Sequence, residues 1–170
     1  MMVEQLTDPT SLSLPVAAVG TRYLRFQLAH LALLIPLGCL REVLLVTPAQ
    51  VLPVPDMPCQ WLGLLGWRTQ AIWLLDLGQV ITGSPGVQGR WSVLLTEIAD
   101  PTGSGEPLLL GLRVDSVQTI VSVVPERILP LALEVVEPRL QVLFQGYVLS
   151  ESGQPLLIFN PQGISQVLPA

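Results

Sequence analysis

From Tyr23 to Leu28 apolar and polar residues alternate, with Leu24, Phe26 and Leu28 on one face and Arg25 and Gln27 on the other. That period of two predicts a half-buried strand. Ala32–Leu37 is apolar throughout and reads as its buried partner, which leaves Ala29 and His30 at a hairpin tip. From Gly38 the pattern changes. Leu40, Val43 and Leu44 recur at helical spacing around Arg41 and Glu42, predicting a short helical turn near 39–44. Pro48–Pro58 holds too many prolines for a regular element and predicts an extended connector, partly strand at an edge. Trp61–Leu77 then carries two short apolar runs, Leu62–Trp67 and Ala71–Leu75, split by Arg68-Thr69-Gln70. This is the pattern of a hairpin buried on both faces. It sets Arg68 at the tip, held by rigid strands yet in contact with water, a placement suited to docking.

Beyond it, Gly83–Gly89 is rich in Gly and Pro and is the expected boundary between two halves, near 83–90. Strands are predicted at Trp91–Glu97, Leu108–Val114, Gln118–Val124, Val142–Leu149 and Leu156–Phe159. Asp100–Gly105 and Glu151–Gly153 supply hairpin turns, and Leu129–Pro138 a second proline-containing connector. Asn160 followed by Pro161 caps a final short helix over 160–166. Residues 1–20 show no period and are expected to form a flexible tail. About nine or ten short strands without βαβ spacing predict an all-β chain, its sheets closed or stacked. Two closed barrels of about 70–80 residues each, dividing the chain at the Gly83–Gly89 loop, fit within residues 21–168.

Composition narrows the chemistry. The chain has 170 residues, 50% of them hydrophobic, 12% charged, with a net charge of −5, so no basic stripe for nucleic acid is present. Sixteen Pro and fourteen Gly, scattered singly, favour short strands over long helices. The longest uncharged apolar run, Leu31–Leu40, is half of the ~20 residues needed to span a bilayer. The first twenty residues lack the basic start of a signal peptide, so a cytoplasmic protein without membrane insertion is expected.

Cys39 and Cys59 match no zinc or redox spacing, and both are expected to be buried as small hydrophobes. With His30 as the single histidine, a metal site or an activated serine has little to build on. Asp76 and Asp115, each at a strand end, are expected to bind backbone N–H groups at turns rather than to act as a carboxylate pair. No enzyme activity, metal or cofactor is expected; a small hydrolase is the remote alternative.

Gly63-Leu-Leu-Gly-Trp-Arg-Thr69, closed by Asp76-Leu77, resembles the signature of the CheW-like domain family, in which Gly, two residues and Asn-Leu-Arg-Gly lead into a strand ending in Asp-Leu. Gly66 stands for the usual Asn and Thr69 for the usual Gly. Leu109–Asp115 with the following Ser-Val, Leu143–Tyr147 and Leu34–Val43 resemble further landmarks, so the likeness covers about residues 22–168. The resemblance implies two SH3-like five-stranded β-barrel subdomains with short helices and a groove where they meet. It also implies a non-enzymatic adaptor. Its partners would be a methyl-accepting receptor's cytoplasmic tip and the regulatory domain of a CheA-type histidine kinase. A divergent adaptor of phototaxis or type IV pilus motility is the alternative. Carried onto this sequence, the family's docking positions fall on Arg68, Glu42, Leu40, Val43, Gly63, Val117 and Ile120.

Overall fold

A computed structural model describes residues 20–100 and 102–168, so most of the tail expected over 1–20 lies outside the described residues. The order begins with β1 (Thr21–Leu28), β2 (Leu31–Pro36), β3 (Leu40–Val46), β4 (Val51–Leu52), β5 (Trp61–Trp67) and β6 (Gln70–Asp76). A short helix α1 (Leu77–Thr82) follows, then β7 (Trp91–Ile98), β8 (Leu108–Val114) and β9 (Ser116–Val123). The described chain ends with β10 (Phe144–Leu149), β11 (Pro155–Phe159) and α2 (Ile164–Val167), the latter preceded by a 3-10 turn at Pro161–Gly163. Asn160 caps that turn by accepting from the Gln162 N–H at 3.2 Å, as its place before Pro161 predicts.

The strands form two sheets. One has five strands in the order β10-β11-β2-β1-β9, the other six in the order β3-β7-β8-β6-β5-β4. Neighbours pair antiparallel except β11 with β2 and β6 with β8. The expected all-β pair of subdomains is present, with the two-residue β4 added at one edge. Each sheet curls until its two edges share a core. Val46 of β3 and Val51 of β4 lie in one buried cluster with Leu65, Ile72, Leu74, Val93 and Leu95. Val123 of β9 and Val148 of β10 likewise share a cluster with Tyr23, Leu34 and Ile158. The edges thus meet through side chains, while the ladders stay open.

A third, larger cluster lies where the sheets face each other. It joins Leu24, Phe26, Leu33 and Ile35 of the first sheet to Leu75, Leu94, Leu110 and Leu112 of the second. Period-two alternation explains the division: on β7, Val93 and Leu95 enter the sheet's own curl while Leu94 and Ile98 enter the shared core. Phe26 and Phe159 meet edge to face there, centroids 6.2 Å apart.

Three expectations need correction. The Gly- and Pro-rich loop at 83–90 does not separate the sheets; it joins α1 to β7 within the second. The chain crosses between sheets at the 3-10 turn Leu37–Cys39 and again at Asp115. The Asp115 carboxylate accepts from the Ala29 N–H at 2.6 Å and its own N–H donates to the Gln27 carbonyl, fixing that crossover to the β1–β2 turn. Residues 40–46 form β3 rather than a helical turn. Burial alternates along β3, but Val43 and Leu45 put apolar residues on its exposed face and Glu42 puts an acid on its inner one, which leaves apolar spacings that mimic a helix. Val142 and Leu143 belong to a 3-10 turn from Pro138 rather than to a strand. The turn at 100–105 is as expected: the Asp100 carboxylate accepts from Thr102 and Ser104, and these bonds hold it well below the usual carboxylate range.

The shared core predicts its own sensitivity. Phe26→Ala removes a ring with no exposure from the contact between sheets, and should cost about 4 kcal/mol. Denaturant unfolding monitored by circular dichroism checks this. A loss under about 1 kcal/mol would show that the sheets do not depend on that contact.

Candidate functional site

The β5–β6 hairpin turns in two residues, Arg68 and Thr69, between the paired Trp67 and Gln70. Arg68 holds φ at 55°, a left-handed conformation that suits a tight turn but costs a non-glycine residue about 1 kcal/mol. Its guanidinium lies over the Trp67 ring, 4.5 Å from the centroid. That contact is a cation–π interaction. The same indole points its N–H across the mouth of the curl and donates to the Glu42 carboxylate at 2.7 Å. Glu42 belongs to β3, four ladders away in sheet order. The two residues are far apart in sequence and in the ladder, and Trp67 joins them into one acid–indole–guanidinium row. Trp67 is the residue that sequence reasoning missed. An indole flanking a hairpin-tip arginine was the available signal, since its ring offers a face to a cation and its N–H seeks an acceptor.

The other expected positions divide. Leu40 and Val117 are half-buried against the shared core. Val43, on the opposite face of β3 from Glu42, is exposed, and so are Leu45 at 62% and Ile120 on β9. Gly63 lies within the frame of the hairpin. It is buried at φ 133°, and a Cβ there would stand 2.2 Å from the Leu52 carbonyl oxygen of β4. Its place in the motif reflects backbone packing between β4 and β5 and presents no side chain to a partner.

Behind the hairpin, Asp76 ends β6 and caps α1, accepting from Gln79 N–H at 3.2 Å and from Gly86 N–H at 3.1 Å. Gly83 closes the helix at φ 75°. This Asp–Gly frame was the legible signal for a helix that hydrophobic spacing did not reveal. Asp76 also faces the buried Arg113 at 3.4 Å. Arg113 lies 4.4 Å from the Trp91 ring centroid and donates to the Val87 carbonyl. The pair therefore holds the 83–90 loop against the second sheet. Asp76 and Asp115 both serve backbone donors, as expected of turn carboxylates.

Cys39 is half-buried and Cys59 exposed, so neither is the fully buried thiol expected. Cys39 ends the 3-10 turn at the sheet crossing, where partial burial raises its thiol pKa, and Cys59 lies in the turn before β5. His30 is exposed beside the β1–β2 tip. Among the described residues no three His, Cys, Asp or Glu gather as metal ligands, and no helix is long and apolar enough to cross a membrane.

The sequence profile of the CheW-like domain matches residues 22–168. Among solved structures, the chain is similar to the scaffolding protein TtCheW from Thermoanaerobacter tengcongensis, with a TM-score of 0.68 and 17% identity over 84% of this chain and 86% of that one. No curated protein matches the sequence.

The acid–indole–guanidinium row can be tested as a unit. A double-mutant cycle of Glu42→Ala and Trp67→Phe should give a coupling of about 1 kcal/mol, as expected for a hydrogen bond to a charged acceptor that is partly open to water. Additive losses in urea unfolding would mean that Glu42 and Trp67 do not support each other.

Proposed function

The chain belongs to the CheW-like domain family, and on that basis we propose that it is a non-enzymatic adaptor that couples a receptor to a histidine kinase. The receptor is of the methyl-accepting class, engaged at its cytoplasmic tip, and the kinase is CheA-type, engaged at its regulatory domain. This reading places the protein in the cytoplasm. The observation that carries it is the Arg68 tip. A bulky cation is kept in a left-handed turn, over an indole that is itself hydrogen-bonded to Glu42. Local strain held in place by such a network marks positions kept for something other than stability. Glu42 and Arg68 offer opposite charges in fixed register. Val43 and Leu45, exposed on the edge strand β3, offer apolar area that excludes water.

A second reading keeps the adaptor role but serves phototaxis or type IV pilus motility. It is favoured by the departures at the tip, where Gly66 and Thr69 replace the residues usual in the family. Both readings share the Arg68 surface and differ in the receptor it meets.

Arg68→Ala should leave stability within about 0.5 kcal/mol and weaken receptor or kinase binding by about 2 kcal/mol. Arg68→Gly separates the two effects further, because glycine takes positive φ without strain. It should hold or raise the melting temperature while binding falls. Calorimetric melting beside partner titration gives both numbers for each variant. If both variants bind receptor and kinase as the parent does, the hairpin tip is only a turn.

A further inference from the structure

We infer that the first sheet carries a second docking surface, which takes an extended peptide segment with an acidic side chain beside aliphatic ones. All eight cations of the chain are arginines, and the net charge is −5. Among the described residues, three of them pair with carboxylates: Arg41 with Glu97, Arg113 with Asp76 and Arg139 with Glu137. Arg68 lies on Trp67. Arg25 and Arg127 are placed differently. Both line one cavity of about 480 Å³ at the mouth of the five-stranded curl, between β1, β9 and the β10–β11 hairpin.

Neither has a carboxylate partner among the described residues. Arg25 donates through Nη2 to the neutral amide oxygen of Gln154 at 3.3 Å, while its Nε is shut off from water without an acceptor. Arg127 reaches the Leu149 carbonyl at 3.5 Å, the outer limit of a hydrogen bond. Glu151 lines the same cavity but is bonded to neither guanidinium. A buried donor left unmatched is costly, and guanidinium forks favour carboxylates, so an entering acid finds two donors already gathered.

An apolar groove of about 660 Å³ adjoins this cavity, sharing Leu149 and Gln154 with it. Leu31, Leu131, Tyr147 and Leu157 line it, and Val135 is 78% exposed at its rim. A free inorganic anion would leave that groove empty, whereas a peptide with an acid next to an aliphatic residue fills both. Leu129 already bridges Tyr147 on the outer edge of β10, its N–H donating at 2.8 Å to the Tyr147 carbonyl. Docking there proceeds through side chains rather than by adding a strand. The surface belongs to the first sheet and stands apart from the Arg68 tip on the second.

Fluorescence anisotropy of the folded chain with a dye-labelled synthetic peptide, Leu-Asp-Leu-Glu-Val-Leu, tests this. The arms are its amide counterpart with Asn and Gln, and inorganic phosphate as competitor. The acidic peptide should bind. Arg25→Gln and Arg127→Gln should each weaken it about tenfold or more, the amide peptide should bind about as weakly, and Arg68→Ala should change nothing. Arg127 is exposed, so its variant remains informative even if Arg25→Gln disturbs the fold. The proposal is overturned if the acidic peptide fails to bind, if its amide counterpart binds equally, or if Arg127→Gln binds as the parent does. Phosphate displacing the peptide at matched affinity would show a small-anion site and overturn the peptide occupant.

Discussion

The constraint on which the rest of this structure depends is that its central strands are buried on both faces. Leu33, Leu34 and Ile35 of β2 have no exposure, nor do Val93, Leu94 and Leu95 of β7. One face of each fills its own curled sheet and the other fills the layer between sheets. Each strand is therefore shared by two cores, and neither curl is complete without its partner layer. Half-buried alternation, usual for antiparallel sheets, persists on β1, where Arg25 and Gln27 alternate with the buried Leu24, Phe26 and Leu28. Because the inserted second sheet lies between β2 and β9 in sequence, the first sheet closes only after the chain has returned through Asp115. Contacts of such long sequence separation are expected to slow folding.

Such packing decides where polar chemistry is able to sit. Among the described residues, three polar or charged ones are buried: Thr96, Asp76 and Arg113. Thr96 donates to the Leu110 carbonyl, and Asp76 and Arg113 satisfy each other along with the 83–90 loop. All three are occupied in holding elements together. The charged groups proposed for recognition, Arg68, Glu42, Arg25 and Arg127, lie instead at tips, edges and the mouths of the curled sheets. That distribution is what an adaptor requires, because a partner is met by surfaces while the core keeps them in fixed relation.

Much of this was legible before any coordinates. Strand identity followed from alternation in Tyr23–Leu28, and the tip at Arg68 from a polar triplet between apolar runs. What escaped did so for identifiable reasons. Where a strand carries apolar residues on both faces, period loses its meaning, so Leu40–Val46, with Val43 and Leu45 exposed, reads as helical. Punctuation by Gly and Pro marked the 83–90 loop as a boundary, but punctuation reports local chain reversal and is silent on which sheet the chain rejoins. The thiols of Cys39 and Cys59 were assigned by the habits of their residue type, which turns at a sheet crossing override. Among the site residues, Glu42 and Arg68 were singled out separately. Their union through Trp67 depends on curl, and curl is a property of the sheet that no local pattern encodes.

The Trp67 position shows how one substitution alters a tip without altering its frame. Where the family pattern has Leu before the arginine, this chain has an indole, which adds a flat face and one donor. The face holds the Arg68 guanidinium, and the donor reaches Glu42 on an edge strand that no ladder connects to β5. An arginine free to rotate loses about 2 kcal/mol of side-chain entropy when a partner immobilises it. Stacking on Trp67 meets part of that loss during folding, so less remains at binding. The same indole also draws edge strand β3 toward the hairpin, which completes the curl where backbone hydrogen bonds do not. Trp67 thus serves both the closing of the curl, beside the Val46 and Val51 cluster, and the orientation of the tip, and the proposed docking surface shares the rigidity of the sheet that carries it.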